Sequence, residues 1–177
     1  SVLELAGRHI YIKDSCNACH SQLIRPFKSE TDRYGAYTVS GEFAYDRPFL
    51  WGSKRTGPDL ARIGNYRTAD WHENHMKDPT SVVPGSIMPA YKHMFKKNAN
   101  IETAYAEALT VKKVFNVPYD VEGGVKLGSW DEAQAQVKAE AKAIIDQMKD
   151  QEIKDAFEKN GEIREIVALI AYLNSLK

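Results

Sequence analysis

Both cysteines of the chain lie in one run of five residues, Cys16-Asn17-Ala18-Cys19-His20. This C-x-x-C-H spacing is the attachment signature of a c-type haem, because two thiols on one helical turn can reach the two vinyl groups of one porphyrin edge. The histidine that follows is positioned to bind the iron. The run predicts one covalent haem c held by Cys16 and Cys19, with His20 as the proximal iron ligand.

Three other interpretations of the two cysteines compete with haem. A redox dithiol of this spacing normally follows a strand in a βαβ pattern, which the sequence does not contain. A structural zinc site needs about four ligands, and the whole chain has only 2 cysteines. A structural disulfide would leave His20 without a role. The haem interpretation is favoured, and covalent attachment predicts a chain matured in the periplasm or its equivalent.

Size and charge exclude several classes of function. A chain of 177 residues fits one domain with a hydrophobic core. Lys plus Arg equals Asp plus Glu, at 24 each, so no global field would hold a nucleic acid or an anionic membrane. The longest unbroken apolar run, Ile166 to Leu173, is far shorter than the roughly 20 residues of a membrane-spanning helix.

Hydrophobic periodicity predicts a helix near each end of the sequence. Apolar or small residues recur at helical spacing over residues 2 to 14, directly before the cysteine run. A stronger apolar stripe covers about Glu162 to Ser175. Gly7 lies on the apolar face of the first helix and permits close approach of another helix. We therefore expect these two helices to pack against each other.

Shorter elements are predicted between these helices. A turn at Thr56 to Leu60 leads into a short helix, and another helix covers Ala69 to Lys77. Residues 83 to 91 are expected to form an extended loop, because the two prolines of this segment exclude regular helix. Met88 lies on this loop, where its side chain can point inward towards a cofactor. The alternative is an ordinary packed position in the core, which is commoner for methionine.

Residues 28 to 55 form the first of two insertions. Alternation around Ser40-Gly41 predicts a short β-hairpin, Ala36 to Val39 against Glu42 to Tyr45. Six aromatic residues lie in this insertion: Tyr34, Tyr37, Phe43, Tyr45, Phe49 and Trp51. We expect this segment to cover the haem edge near the propionates. Because aromatic residues are enriched at interfaces, we also expect it to supply a contact surface for a partner protein. A self-contained aromatic mini-core is the alternative.

Residues 96 to 160 form the second insertion, and their pattern is mostly helical. A capping box that begins at Ser129 opens a long helix rich in Ala, Lys, Glu and Gln, which ends near Asp150. The high charge of this helix predicts an exposed surface position.

Six motifs follow one another along the chain. They are a helix with Gly7 and Tyr11, the C-x-x-C-H run, Gly57-Pro58-Asp59-Leu60, Lys77-Asp78-Pro79, Pro84 to Met88, and Ile170-Ala171-Tyr172-Leu173. This order resembles class I cytochromes c, in which such motifs enclose one haem. The resemblance implies a mainly α class I cytochrome c fold around one covalent haem, as a single domain over residues 1 to 177 with the two insertions.

Longer runs narrow the resemblance. They are G-R-H-I-Y-I at residues 7 to 12, C-N-A-C-H-S-Q-L-I-R-P-F at 16 to 27, S-E-T-D-R-Y-G at 29 to 35, and W-G-S-K-R-T-G-P-D-L at 51 to 60. These runs look like the mono-haem cytochrome c subunit of cbb3-type cytochrome c oxidases. The resemblance covers residues 3 to 95 and the final helix, and it transfers no function to residues 96 to 160. In that family an N-terminal transmembrane helix anchors the domain, and we expect such an anchor to lie outside this chain.

The resemblance also implies the iron ligands. His20 is the proximal ligand and Met88 the distal one, since a methionine sulfur suits low-spin iron and raises its reduction potential. The backbone carbonyl of Pro58 is implied as the acceptor for the second imidazole nitrogen of His20. Other residues that could replace Met88 are His9, His72, His75, His93 and Met94.

Two haem propionates also need partners, because a buried anion without one is costly. The candidate donors are Arg25, Arg55, Tyr34 and Trp51, which all belong to the segments that carry the resemblance. Bidentate pairing suits arginine to this role. The alternative is that both arginines are solvated surface charges.

The expected function is single-electron transfer, not catalysis by the chain on its own. As an oxidase subunit, it would accept electrons from a cytochrome c donor or the di-haem cytochrome c subunit. It would pass them towards the haem-copper catalytic subunit, on the periplasmic side of the bacterial inner membrane. A free soluble electron carrier, or a haem c sensor or peroxidase-like enzyme with an open sixth iron position, is the alternative.

Overall fold

The computed structural model describes residues 1–177 and is mainly helical, consistent with a cytochrome c-like all-α fold. Its eight α-helices are α1 (Val2–Lys13), α2 (Lys28–Tyr34), α3 (Ala69–Lys77), α4 (Pro79–Val82), α5 (Ile101–Phe115), α6 (Trp130–Ile145), α7 (Gln151–Asn160) and α8 (Glu165–Ser175). Short 3-10 segments lie at Cys16–Ala18, Ser40–Phe43, Ile63–Asn65 and Lys92–Phe95. None of the helices has the length and apolar character needed to cross a bilayer.

Helices α1 and α8 pack face to face, which confirms the expectation from Gly7. A Cβ atom at Gly7 would overlap the backbone carbonyl of Ala168 and lie 2.7 Å from Cβ of Tyr172, so only glycine permits this approach. Next to it, the rings of Tyr11 and Tyr172 meet edge to face, with centroids 5.4 Å apart. Apolar contact between these helices forms the centre of the core.

Helix α6 is not the exposed surface helix that its charge predicted. Its Ala133, Val137, Ala141 and Ile145 are at most 3% exposed and belong to the same core as α1 and α8. These residues recur four apart and form one narrow apolar face, while the charged residues cover the opposite side. The capping box at Ser129 is present as predicted, but α6 ends at Ile145 and a separate helix, α7, follows.

The predicted β-hairpin at residues 36 to 45 is also wrong. Residues Ser40–Phe43 form a 3-10 turn, and the chain contains no strand. The carboxylate of Glu42 accepts a hydrogen bond from the backbone N–H of Val39 and is held by the guanidinium of Arg62. Tyr37, Val39 and Tyr45 are all more than half exposed. A hairpin would therefore bury none of these side chains against the core, so pairing of its two strands would gain no packing energy.

Helix α3 has the predicted bounds, Ala69–Lys77, and residues 83 to 91 contain no helix, as expected. The end of this loop is fixed to α3, since the backbone N–H of Tyr91 donates to the carbonyl of Met76 at 2.8 Å. The loop that carries Met88 is therefore fixed to α3 at its Tyr91 end.

Candidate haem-binding site

The two cysteines lie on a 3-10 turn directly after α1. The backbone N–H of His20 donates to the carbonyl of Cys16 at 2.9 Å and closes this turn. Both thiols are free, with Cys16 buried and Cys19 exposed. Burial, together with the charge of Asp14, raises the pKa of Cys16 to about 12, so this thiol is neutral at ordinary pH.

The imidazole of His20 is oriented by the turn at Gly57 and Pro58. Its Nδ1 lies 2.8 Å from the carbonyl oxygen of Pro58. A carbonyl only accepts, so Nδ1 carries the proton and Nε2 keeps the lone pair that binds a metal. The backbone N–H of Gly57 also donates to the carbonyl of Cys19 at 3.0 Å. These contacts join the C-x-x-C-H run to the turn.

The residues at this site fit a c-type haem. A Cβ atom at Gly57 would overlap Cε1 of His20, so the backbone approaches the ring as closely as glycine allows. The donor set consists of two free thiols, Cys16 and Cys19, and one imidazole whose tautomer is fixed. One short segment therefore offers both the thiols that haem attachment requires and an imidazole that can bind iron.

An open cleft of about 410 Å³ lies beside Pro58. It brings together three of the four predicted propionate donors, Arg25, Tyr34 and Arg55, and adds Arg33, Glu30, Ser29, Thr56 and Gly57. Three arginines and one glutamate line the cleft, and the buried carboxylate of Asp59 lies 3.6 Å from Arg55. Positive charge remains in excess, so the cleft suits an anionic group.

Trp51, the fourth predicted propionate donor, does not line this cleft. Its ring stacks on Phe49 with centroids 4.5 Å apart and meets Phe43 edge to face. Its carbonyl accepts a hydrogen bond from the backbone N–H of Gln22 at 2.9 Å. In the structure it belongs to an aromatic cluster of residues 43 to 51.

Glu30 is a site residue that the sequence reasoning missed. This 5% exposed glutamate on α2 accepts hydrogen bonds from the guanidinium groups of both Arg25 and Arg55. Hydrogen bonds from Arg55 and then Arg25 lower the pKa of Glu30 to about 2, against the effect of its burial. An acidic residue two positions after the start of a short helix is a common pattern, so the sequence carried no specific signal for it.

Arg55 is further anchored to the segment that follows His20. It donates to Oγ of Ser21 at 2.8 Å and to the carbonyl of Leu23 at 2.7 Å. Buried Asp59 lies 3.6 Å from the same guanidinium and accepts from Ser21 Oγ at 2.6 Å and from the backbone N–H of Leu23 at 2.8 Å. Arg55 is therefore fixed in position and is not a solvated surface charge.

Met88 is half-buried and packs against the main core. Its backbone N–H donates to Oγ of Ser86 at 3.2 Å, which gives the tip of the loop a defined turn. The neighbouring Ile87 is 81% exposed. A half-buried methionine on an extended loop can offer its sulfur as an iron ligand.

Three of the alternative ligands are occupied elsewhere. Met94 is 0% exposed inside the core. Nε2 of His9 pairs with the carboxylate of Glu107, and Nε2 of His93 lies 3.1 Å from a carboxylate oxygen of Asp14. These partners leave His72 and His75 as the other candidates.

His72 and His75 lie on α3 and each have a buried nitrogen without a hydrogen-bond partner. Burial lowers the pKa of His72 to about 4. Burial, followed by the nearby charge of His20, also lowers the pKa of His75, whose ring stacks on Trp71 at 4.6 Å. Both imidazoles are thus neutral at pH 7 and have a nitrogen lone pair for a metal, so His72 and His75 are the alternatives to Met88 as iron ligand.

The helical fold, the oriented histidine and the two free thiols define a cytochrome c-like protein with one haem-attachment segment. The family described as Cytochrome C oxidase, mono-heme subunit/FixO matches residues 1–177, the whole chain. The chain belongs to this family, which provides the mono-haem, electron-transferring subunit of cbb3-type oxidases and works with the other subunits of that complex. Comparison with curated proteins gives no match.

Proposed function

We propose that the chain forms a single cytochrome c domain that transfers single electrons through one haem c, bound covalently by Cys16 and Cys19 and ligated by His20 and Met88. Within the oxidase, electrons would come from a cytochrome c donor or the di-haem cytochrome c subunit. They would pass to the haem-copper catalytic subunit on the periplasmic side of the inner membrane, and the chain on its own would catalyse no reaction.

The main support for this proposal is the contact between Nδ1 of His20 and the carbonyl of Pro58, 2.8 Å apart. It fixes the tautomer and the ring orientation of the one histidine that follows the two thiols. Such an outer contact also increases the basicity of a ligating imidazole. A redox dithiol or a disulfide would need no such control of His20.

When bound, the haem supplies one-electron chemistry by cycling between the ferric and ferrous states. His20 and Met88 would hold the iron, and the surrounding residues would control charge and solvent around the group. Pro58 keeps His20 in one orientation, and the loop from Pro84 to Met88 offers a sulfur ligand. If His20 and Met88 both hold the iron, no position would remain for a substrate, unlike in a sensor or peroxidase-like enzyme.

Arg25, Tyr34 and Arg55 are proposed to receive the haem propionates. Support comes from the cleft that all three line beside Pro58, with its excess of positive charge. Glu30 holds the guanidinium groups of Arg25 and Arg55 before any ligand is bound, which reduces the entropy cost of ordering them. Trp51 is proposed to support the edge of this cleft through its ring contacts with Phe43 and Phe49.

The aromatic segment at residues 28 to 55 is proposed to contact the neighbouring oxidase subunits. Support comes from the exposure of Tyr37, Tyr45 and Phe49, each 51–53% exposed, beside Trp51 at 37%. A closed mini-core would bury these rings, whereas interfaces are enriched in such residues. A Tyr45→Ala variant should weaken assembly with the oxidase and leave the haem spectrum unchanged. A changed spectrum with normal assembly would contradict this role.

Optical spectroscopy of the purified protein tests the central proposal. We expect a pyridine haemochrome of one c-type haem per chain, and a low-spin ferric spectrum with the weak long-wavelength absorption of a sulfur–iron bond. A high-spin spectrum would indicate an open sixth position, which would favour the sensor or enzyme alternative. A low-spin spectrum without the sulfur band would favour His72 or His75 over Met88.

A further inference from the structure

We propose that Asp14, His93 and Glu165 form a binding site for one divalent transition-metal ion, separate from the haem-binding site. Each residue offers one ligand atom, and these atoms all lie within 4.8 Å of one another. One imidazole nitrogen and two carboxylate oxygens form a ligand set that zinc accepts, with water in the remaining position.

The three ligands come from segments that are far apart in the sequence. Asp14 ends α1, His93 lies in the 3-10 segment that follows the Met88 loop, and Glu165 is the first residue of α8. Nε2 of His93 already lies 3.2 and 3.1 Å from the two carboxylate oxygens of Asp14. A metal ion at this point would join the two helices of the core to the segment that positions the Met88 loop.

Glu165 provides the second, independent observation. The residue is only 8% exposed, and its Oε2 is a buried atom without any hydrogen-bond partner. An ionised carboxylate oxygen that is buried without a partner costs free energy, so a native fold usually satisfies it. Because Oε1 of Glu165 accepts from Lys13, a metal ion bound by both oxygens of this carboxylate would also satisfy Oε2.

Lys13 is the cation that now neutralises part of the cluster. Its Nζ donates to Oε1 of Glu165 at 2.6 Å and lies 3.8 Å from Oδ2 of Asp14. One ammonium balances one of the two carboxylate charges, whereas a divalent ion balances both. The side chain of Lys13 is 45% exposed and can turn into solvent. Lys13 and the metal ion therefore compete for the same carboxylates.

Calorimetric titration of zinc chloride into the haem-loaded protein, after removal of metals with a chelator, tests the proposal. We expect one zinc ion per chain. His93→Gln and Glu165→Gln should raise the Kd at least about tenfold, since outer contacts alone change metal affinity by about 10 to 100-fold. Lys13→Gln should lower the Kd because it removes the competing ammonium.

His9→Gln is the matched control, because His9 also pairs with a carboxylate, that of Glu107, but lies outside the cluster. Its Kd for zinc should equal that of the wild type. Zinc should also raise the Tm of the wild type, followed by circular dichroism, but not that of His93→Gln. His93 is 38% exposed in its side chain, so this variant keeps the test valid if Glu165→Gln fails to fold.

Several outcomes would overturn the proposal. They are no zinc binding by the wild type, a Kd that His93→Gln does not change, an equal loss in His9→Gln, or a Kd that Lys13→Gln raises. The haem spectrum should not change on addition of zinc. A spectral change would mean that zinc binds at His20, His72 or His75 and would also count against this site.

Discussion

The segment from Cys16 to Leu60 and the segment from residue 96 to 160 differ in what holds them in place. The first is fixed mainly by polar contacts across the chain, such as His20 to Pro58 and Arg55 to Glu30. The second is fixed by apolar faces on α5 and α6, with fully buried alanines such as Ala104 and Ala141. Substitutions in the first should therefore change chemistry, and substitutions in the second should change stability alone.

The largest effect is expected at the thiols. Cys16→Ser or Cys19→Ser should prevent covalent attachment of the haem and leave an unstable chain, because cofactor binding and folding are coupled in such proteins. Haem staining of a denaturing gel and circular dichroism measure the two losses. Asn17→Ala, in the same turn, is the control and should keep the haem. A stable Cys16→Ser protein with native helix content would contradict this coupling between haem attachment and folding.

Met88→His should come next in size. The variant should remain low-spin but lose reduction potential by on the order of 0.1 V, a part of the roughly 0.8 V range that axial ligands span. Redox titration with optical detection measures this. If Met94→His lowers the potential and Met88→His does not, the assignment of the distal ligand is wrong.

Ile145→Ala tests the second segment, since Ile145 is 3% exposed on the apolar face of α6. Loss of this side chain should reduce the free energy of unfolding by about 2–5 kcal/mol, while the haem spectrum and potential stay constant. The control Ala139→Ser lies on the exposed face of α6 and should change the free energy of unfolding by no more than about 0.5 kcal/mol. A shifted potential in Ile145→Ala would show that the segment acts on the haem.

The smallest effect is expected for Glu30→Gln and depends on pH. Glu30 has its pKa lowered from 4.5 to about 2 in the folded chain, so its pairing with Arg25 and Arg55 adds stability above pH 4.5 and loses it as the pH falls towards 2. Denaturant unfolding at pH 7 should show Glu30→Gln less stable than the wild type by about 1–3 kcal/mol. At pH 2 to 3 this difference should shrink; a constant difference would contradict the pairing. Glu122→Gln, an exposed glutamate, should show no such dependence.

Features set by local spacing were predictable from the sequence. The residues of α3, the apolar faces of α1 and α8 with Gly7 on the first of them, and the capping box at Ser129 all follow from neighbours a few positions apart. The C-x-x-C-H run is of the same kind, since its chemistry depends only on spacing. No partner from elsewhere in the chain is needed to recognise any of these features.

Features set by distant partners were not predictable. Glu42 is held by Arg62, 20 residues away, and this contact replaces the predicted hairpin. Glu30 meets Arg55 across 25 residues, and no pattern in the sequence relates these two positions. The high charge of α6 predicted that the helix is exposed to solvent. Its alanines instead pack against α1 and α8, and this contact depends on the fold.

The contact between Gln22 and Tyr172 has a consequence for the order of folding. These side chains exchange hydrogen bonds at 3.0 and 3.1 Å although they are 150 residues apart. Contacts of such long sequence separation form late, because the loop between them must close first. During folding, α1 and the cysteine turn therefore remain uncovered until α8 docks. That delay gives any maturation machinery a period of open access to Cys16 before the native core closes over it, whereas Cys19 stays exposed in the folded chain.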